Sequence, residues 1–371
     1  MAYDILFNLT TNPFRMTPAN SADEIFWAGF PDTKAKFETR IKRSIKIPNS
    51  TLILNWGEYG SGKTHAGRYF GKNAVLASLA NDSMLPYYIF ISLPKGKSPI
   101  DDFYTSIIDK IDLPKIREDF ANVLHELNLY IDSIADNVHI KAVLKAVFGT
   151  NIEVNLMKRY LYQSTNSSDS RTLADAGILR TLSSDTDFSK VVSGIFSCLT
   201  FEKRIYSSII LWIDEFEDIA IMTKVNGDKT NSFLREILDN TPNNLLMFLN
   251  LTQSALFNIE DLGEYISEAI KSRIKQRINF ELPDEVNILL YIKELLGYYK
   301  QNDQEHIDEP YFPFDENVLS QLIVDLDNAS LRKVNETLGL LLDLAEIDGI
   351  TPVSLEYYEA NKEEVIGDWK G

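Results

Sequence analysis

The chain has 371 residues, enough for one large α/β domain with a smaller satellite. With 44% hydrophobic and 25% charged residues it reads as an ordinary soluble globular protein, and no apolar run approaches the roughly 20 residues of a membrane-crossing helix. The 37 Lys and Arg against 54 Asp and Glu, a net charge of −17, argue against a broad nucleic-acid-binding surface, because phosphate backbones are held by cationic side chains; a local basic strip or a DNA path made by assembly stays open.

The amino end, Met1–Thr11, lacks the basic start and apolar core of a signal peptide, so a cytoplasmic location is expected. A lead-in over residues 1–50 contains an Asn12-Pro13-Phe14 turn and a helix at Asp32–Ile45. Thr51-Leu52-Ile53-Leu54-Asn55-Trp56 is a short apolar run of the kind found in buried parallel strands; it leads into a glycine-rich loop, and His65–Ala80 is helical in character. A second strand is expected at Tyr87–Leu93. Residues 100–205 read as mostly helical, for example across Ile116–Val147, with an exposed polar break at Gln163–Arg171. Within that stretch Cys198, the one cysteine, excludes an intramolecular disulfide and a thiolate metal cluster. A third strand at Ser208–Ile213 ends in Asp214-Glu215, a helix covers Lys229–Asp239, and a fourth strand covers Asn244–Thr252. Beyond Phe280-Glu281-Leu282-Pro283 the pattern is helical to about residue 346, and Pro283 marks a domain boundary.

The expected fold is therefore α/β: a P-loop NTPase parallel sheet core with a helical insertion and a C-terminal α-helical lid. The corresponding domains are a lead-in at 1–50, a core at 51–282 with the insertion at about 100–200, a lid at 283–346 and a tail at 347–371.

Gly57-Glu58-Tyr59-Gly60-Ser61-Gly62-Lys63-Thr64 matches G-x-x-x-x-G-K-[ST] at every defined position. Glycines at Gly57, Gly60 and Gly62 let successive backbone N–H groups, with that of Ser61, curl around phosphates, and the following helix offers its positive end. Lys63 is expected to reach the β- and γ-phosphates of ATP and the Thr64 hydroxyl to ligate Mg²⁺, with His65 next in line beside the nucleotide. The apolar run Ile209-Ile210-Leu211-Trp212-Ile213 delivers two carboxylates at its carboxyl end. There Asp214 would hold Mg²⁺ through water and Glu215 would polarise the attacking water. Glu217 and Asp218 read as helix N-terminal charges. The rival reading for both acids is a solvated strand end. None of His65, His125, His139 and His306 sits at metal-ligand spacing.

With these two motifs the chain resembles an AAA+ ATPase, nearest to the origin-recognition initiators and the ExeA-type and transposition-regulator ATPases. The resemblance rests also on Asn12-Pro13-Phe14 with Pro18, and on Ser272-Arg273 through Phe280-Glu281-Leu282-Pro283. It implies a polar sensor at the end of the fourth strand, for which Asn250 and Thr252 are both candidates, a structural strand-end hydrogen bond being the alternative. It implies an arginine finger at Arg273, acting on a neighbouring subunit; the basic run Lys271, Arg273, Lys275 and Arg277 reads otherwise as a solvated or acid-pairing face. It implies a second sensor at Arg332, in Ser330-Leu331-Arg332-Lys333, although Ala329 stands where such proteins commonly carry glycine. Roughly 140 residues separate the loop from the acidic strand, too many for a simple connection, hence the insertion. About 25 residues follow Leu344, too few for the winged-helix DNA-binding domain of the origin-recognition relatives.

The function expected on this resemblance is an ATP-hydrolysing, oligomerising molecular switch acting on a partner protein. The setting would be a DNA transaction such as transposition, replication loading or defence against mobile DNA. The alternative is a signalling or scaffold ATPase whose nucleotide state sets its assembly without DNA. A small-molecule kinase would need an acceptor pocket that the sequence does not identify.

Overall fold

The structure is a computed structural model that describes residues 3–15, 25–96, 98–135, 137–241, 243–253, 262–328 and 330–367. Pro18 and Ala329 lie outside the described residues.

Five strands, β1 (Thr51–Glu58), β2 (Tyr87–Ser92), β3 (Ile209–Asp214), β4 (Leu245–Gln253) and β5 (Ile274–Phe280), form one sheet in the order β2-β3-β4-β1-β5. β2 and β3 pair in parallel from Tyr87 opposite Ile209 to Ser92 opposite Asp214, and β3 and β4 from Ile209 opposite Leu245 to Ile213 opposite Leu249. All six residues of β3 are buried, as expected of a central strand in a parallel sheet covered on both faces. Four of these strands coincide with the apolar runs of the sequence. β5 does not: Lys275, Gln276 and Arg277 face solvent on the strand at the sheet edge, so the apolar signature is missing and the segment reads as a charged stretch.

The helices are α1 (Tyr3–Phe7), α2 (Pro31–Lys46), α3 (Lys63–Phe70), α4 (Asn73–Ala80), α5 (Pro99–Ile108), α6 (Leu113–Phe120), α7 (Leu124–Ile134), α8 (Val138–Phe148), α9 (Val154–Leu161), α10 (Asp169–Asp175) and α11 (Asp185–Leu199). After β3 come α12 (Lys224–Asn240), α13 (Leu262–Tyr265), α14 (Glu268–Lys271), α15 (Glu285–Tyr299), α16 (Glu316–Leu326), α17 (Leu331–Asp348) and α18 (Leu355–Ile366). The helical stretch read over His65–Ala80 is two helices, because the chain breaks at Gly71-Lys72.

The chain divides into two compact units. One comprises Phe37–Asn55 and Asn73–Ile278. Its core is built on the central strands: the Trp212 indole is fully buried, with the Phe37 and Phe248 rings 5.3 and 4.3 Å away. The seven helices α5 to α11 lie between β2 and β3 in the sequence, over the stretch where the long spacing leads to the expectation of a helical insertion. Ser184 starts α11 by accepting from Asp187 N, and Asn137 starts α8 by accepting from His139 and Ile140 N.

Arg117 of α6 fastens the insertion from within. Its buried guanidinium donates to the carbonyls of Ala146, Val147 and Ile152 at 2.8, 3.0 and 2.8 Å, taking up the last carbonyls of α8, and burial pulls its pKa below the ordinary arginine value. Arg117→Ala strands those acceptors and is expected to lower stability by about 2–4 kcal/mol, read as a lower urea midpoint at unchanged slope.

The other unit comprises Met1–Lys36, Trp56–Lys72 and Asn279–Gly371. Helices α15 to α18 close around Ile292, Leu319, Leu338, Leu342 and Tyr358. α18 falls in the segment that reads as a tail, and its Tyr358 is fully buried in this core. The Asn12-Pro13-Phe14 turn docks here: Asn12 Oδ1 accepts from Phe14 N, Asn12 Nδ2 donates to Gly339 O of α17 at 3.0 Å, and the Phe14 ring lies in the cluster. Among the described residues no helix is long and apolar enough to cross a membrane.

Candidate functional site

The phosphate loop belongs to the unit that carries α15–α18. β1 runs out at Glu58 and α3 begins at Lys63, the strand–loop–helix context that the motif requires. Gly62 (φ 99°) and Gly60 (φ 78°) lie in the left-handed region, which side chains disfavour. Gly57 is demanded by packing, since a Cβ there would stand 2.5 Å from the Phe280 carbonyl oxygen. The Lys63 ammonium is buried and folded into the loop, donating to Gly57 O at 2.8 Å, Glu58 O at 2.7 Å and Ser61 Oγ at 3.3 Å. Thr64, the second residue of α3, is half-buried. His65 bonds through Nε2 to the Phe26 carbonyl at 2.7 Å, and loss of hydration pushes its pKa down. Its ring is thereby committed to the lead-in segment.

Arg332 comes to this same loop. It is the second residue of α17, whose first turn is capped by the Ser330 hydroxyl accepting from Lys333 N. A Cβ on Gly60 would lie 2.7 Å from Arg332 Cβ, and the guanidinium carbon lies 4.6 Å from the centroid of the Tyr59 ring.

The acidic strand belongs to the other unit. Asp214, the last residue of β3, is buried, and its Oδ1 accepts from Asn250 Nδ2 at 2.8 Å. Asn250 is fully buried on β4, and its Oδ1 accepts from Asn55 Nδ2 of β1 at 2.8 Å and from Trp212 Nε1 of β3 at 2.9 Å. An indole N–H only donates, so the amide oxygen must face Trp212 and the amide NH₂ must face Asp214. Three adjacent strands thus contribute to one polar relay that ends on a carboxylate. Thr252 lies nearer the strand end, with its backbone N–H donating to Glu217 Oε2 at 3.1 Å. Of the two sensor candidates, Asn250 is the one whose side chain touches Asp214.

Glu215 follows in the left-handed region at φ 55°, which costs a non-glycine residue roughly 1–2 kcal/mol. Its half-exposed carboxylate lies 3.7 Å from Lys95 Nζ, and the same ammonium pairs with Asp218 at 2.9 Å. Those acids raise the Lys95 pKa, Asp218 through its hydrogen bond foremost. Arg273 follows α14 and is held within its own chain: Nε and Nη2 donate to Asp239 Oδ1 at 3.0 and 2.6 Å, and Nη1 donates to Ala269 O at 2.6 Å.

Among the described residues no group of three or more His, Cys, Asp or Glu is placed to hold a metal ion by itself. Sequence reading missed Asn55, Trp212, Lys95 and Tyr59. Asn55 and Trp212 sit inside apolar strands, Lys95 is about 120 residues from its partners, and Tyr59 occupies an undefined position of the loop motif.

No known protein-family profile and no curated protein matches the sequence. Solved structures do. The ORC2 protein of Aeropyrum pernix, determined in ADPNP and ADP complexes, is similar over 92% of this chain and 68% of its own, with a TM-score of 0.56 at 10% identity. The ORC1 protein of the same organism in complex with DNA has a TM-score of 0.48 at 13% identity, over 95% of this chain and 69% of its own. A Walker-type ATPase of Pyrococcus abyssi has a TM-score of 0.46 at 14% identity, over 96% of this chain and 78% of its own. The first of these likenesses shows the fold, the α/β architecture with C-terminal helices expected from the sequence, and the structure gives its sheet order as 2-3-4-1-5.

Proposed function

We propose that this chain binds ATP with Mg²⁺ and hydrolyses it, as an AAA+ type switch that oligomerises and acts on a partner. The observation that carries the reading is the Lys63 ammonium. It is buried inside a glycine loop, beside the positive end of α3, and held there by main-chain carbonyls. A buried cation at a helix N-terminus suits an anionic ligand, and the backbone N–H groups of a glycine-rich loop suit phosphate. ADPNP and ADP in the ORC2 structure agree with a nucleotide.

In this reading Gly57, Gly60, Ser61 and Gly62 cradle the phosphates, Lys63 and Arg332 hold their oxygens, and His65 closes the first turn of α3. Bound magnesium, held by Thr64 and Asp214, would neutralise charge on the phosphate oxygens. Asn250 keeps Asp214 in one orientation, with Thr252 following at the strand end. Glu215 takes the proton of the attacking water as oxygen bonds to the γ-phosphorus and the bond to the β,γ-bridging oxygen breaks. Release of Glu215 from Lys95 and of Arg273 from Asp239 belongs to the active assembly, where Arg273 reaches the γ-phosphate of a neighbouring copy.

The load on this switch is proposed to be a DNA transaction, with DNA reached through assembly. A specific observation keeps the scaffold alternative in view. Residues 279–371 hold 21 acidic and 6 basic side chains, a net −15 of the chain's −17. That segment repels phosphate backbones and suits a basic protein surface. Phosphate release measured with and without duplex DNA across a salt series separates the two. The DNA switch is expected to show stimulation at low salt that declines as salt rises; no stimulation at any salt selects the scaffold.

A further inference from the structure

Tyr59 stands at a loop position that the phosphate-binding pattern leaves undefined, and its side chain is 67% exposed, so core packing does not account for it. Its ring carries the Arg332 guanidinium at 4.6 Å from the centroid. The neighbouring Gly60 is required twice over, by φ 78° and by the approach of Arg332 Cβ to within 2.7 Å of where its own Cβ would be. Ser330 Oγ is 3.1 Å from the same point. The loop and the first turn of α17 are therefore fitted to each other at two consecutive loop residues.

We infer that Tyr59 is a positioning residue that holds Arg332 ready for the terminal phosphate and so favours triphosphate over diphosphate. An aromatic face attracts a guanidinium through its quadrupole and leaves the N–H donors at the edge of the group unspent. The arginine loses its side-chain freedom before the nucleotide arrives and keeps its full set of hydrogen bonds for phosphate oxygens. A carboxylate in place of the ring would compete with the phosphate for those donors. Tyr59 is thus a chemically suitable rest for a phosphate-binding arginine.

The inference rests on the proposed ATP site, and its test keeps the two apart. Fluorescent ATP and ADP analogues are titrated into the wild type, Tyr59→Phe, Tyr59→Leu, Arg332→Ala and the Tyr59→Leu/Arg332→Ala double variant, each checked for an unchanged melting temperature. Tyr59→Leu is expected to weaken ATP binding about three- to fivefold with ADP unaffected, the size of one exposed cation–π contact. Tyr59→Phe, which keeps the ring, should bind as the wild type does, and Tyr59→Leu should add nothing once Arg332 is alanine. Equal loss for ATP and ADP, full additivity in the double variant, or no loss in Tyr59→Leu while Arg332→Ala weakens ATP overturns the role of Tyr59 and leaves the ATP site standing. Failure of the wild type to bind either nucleotide overturns both.

Discussion

Lys63→Ala is expected to weaken ATP binding by about ten- to a hundredfold and to remove measurable turnover, with the fold retained. The magnitude follows from losing charge-assisted hydrogen bonds to phosphate, each worth about 1.5–3 kcal/mol. Retention of the fold follows from what Lys63 does without a ligand: it donates to Gly57 and Glu58 carbonyls of its own loop, and glycine-rich loop backbone can take water in its place. Lys63→Arg should not rescue. The guanidinium is larger and planar, and the space it would need is bounded by the Phe280 contact that already forbids a Cβ on Gly57. Nucleotide titration followed by phosphate release checks both halves, and an alanine variant that binds ATP like the wild type removes Lys63 from the site.

Glu215→Gln is expected to lower turnover by about two to four orders of magnitude while ATP affinity is preserved. The substitution keeps the shape of the side chain and removes its capacity to accept a proton. The left-handed backbone at Glu215 belongs to the turn out of β3 and should survive, since glutamine meets the same steric limits there. Because bound ATP is then not consumed, the variant should also accumulate in its assembled form, visible as larger particles by light scattering with ATP and not with ADP. Unchanged turnover would take the proton-accepting role away from Glu215. Asp214→Asn differs in a diagnostic way: its amide oxygen can still accept from Asn250 Nδ2 in the buried relay, but the carboxylate charge is gone, so it should weaken magnesium dependence before it affects nucleotide binding.

The features legible in the sequence are those carried by local chemistry. The glycines and Lys63-Thr64 stand at fixed spacing, and the β3 run shows its burial residue by residue before ending in an acid. What escaped depends on partners far along the chain. Asn55 reads as an ordinary polar residue until β4 brings Asn250 to it, 195 residues later. The choice between Asn250 and Thr252 turns on the indole of Trp212, whose lone donor sets the amide orientation and which sequence reading treats as core packing alone. β5 was hidden because an edge strand with three exposed polar residues carries no apolar run. Gly60 looks like a turn residue, yet its neighbour in space is Arg332, contributed by a helix more than 200 residues away. α18 reads as tail because its moderate polarity masks the few residues, chiefly Tyr358 and Val365, that it buries in the core.

Arg273 illustrates the opposite case, in which structure adds a constraint that spacing could not supply. Its guanidinium is engaged by Asp239 and the Ala269 carbonyl, so any action on a neighbouring copy requires that this ion pair open. Exposed pairs of this kind are worth about 0.2–1 kcal/mol, small against the charge of a bound triphosphate.

The central claim is that the chain hydrolyses ATP with magnesium, and phosphate release by the purified wild type tests it most directly. Steady release that stops when magnesium is chelated, and that is absent in Lys63→Ala, is the predicted result. No release at millimolar ATP, together with no nucleotide bound in the titration, would contradict the account.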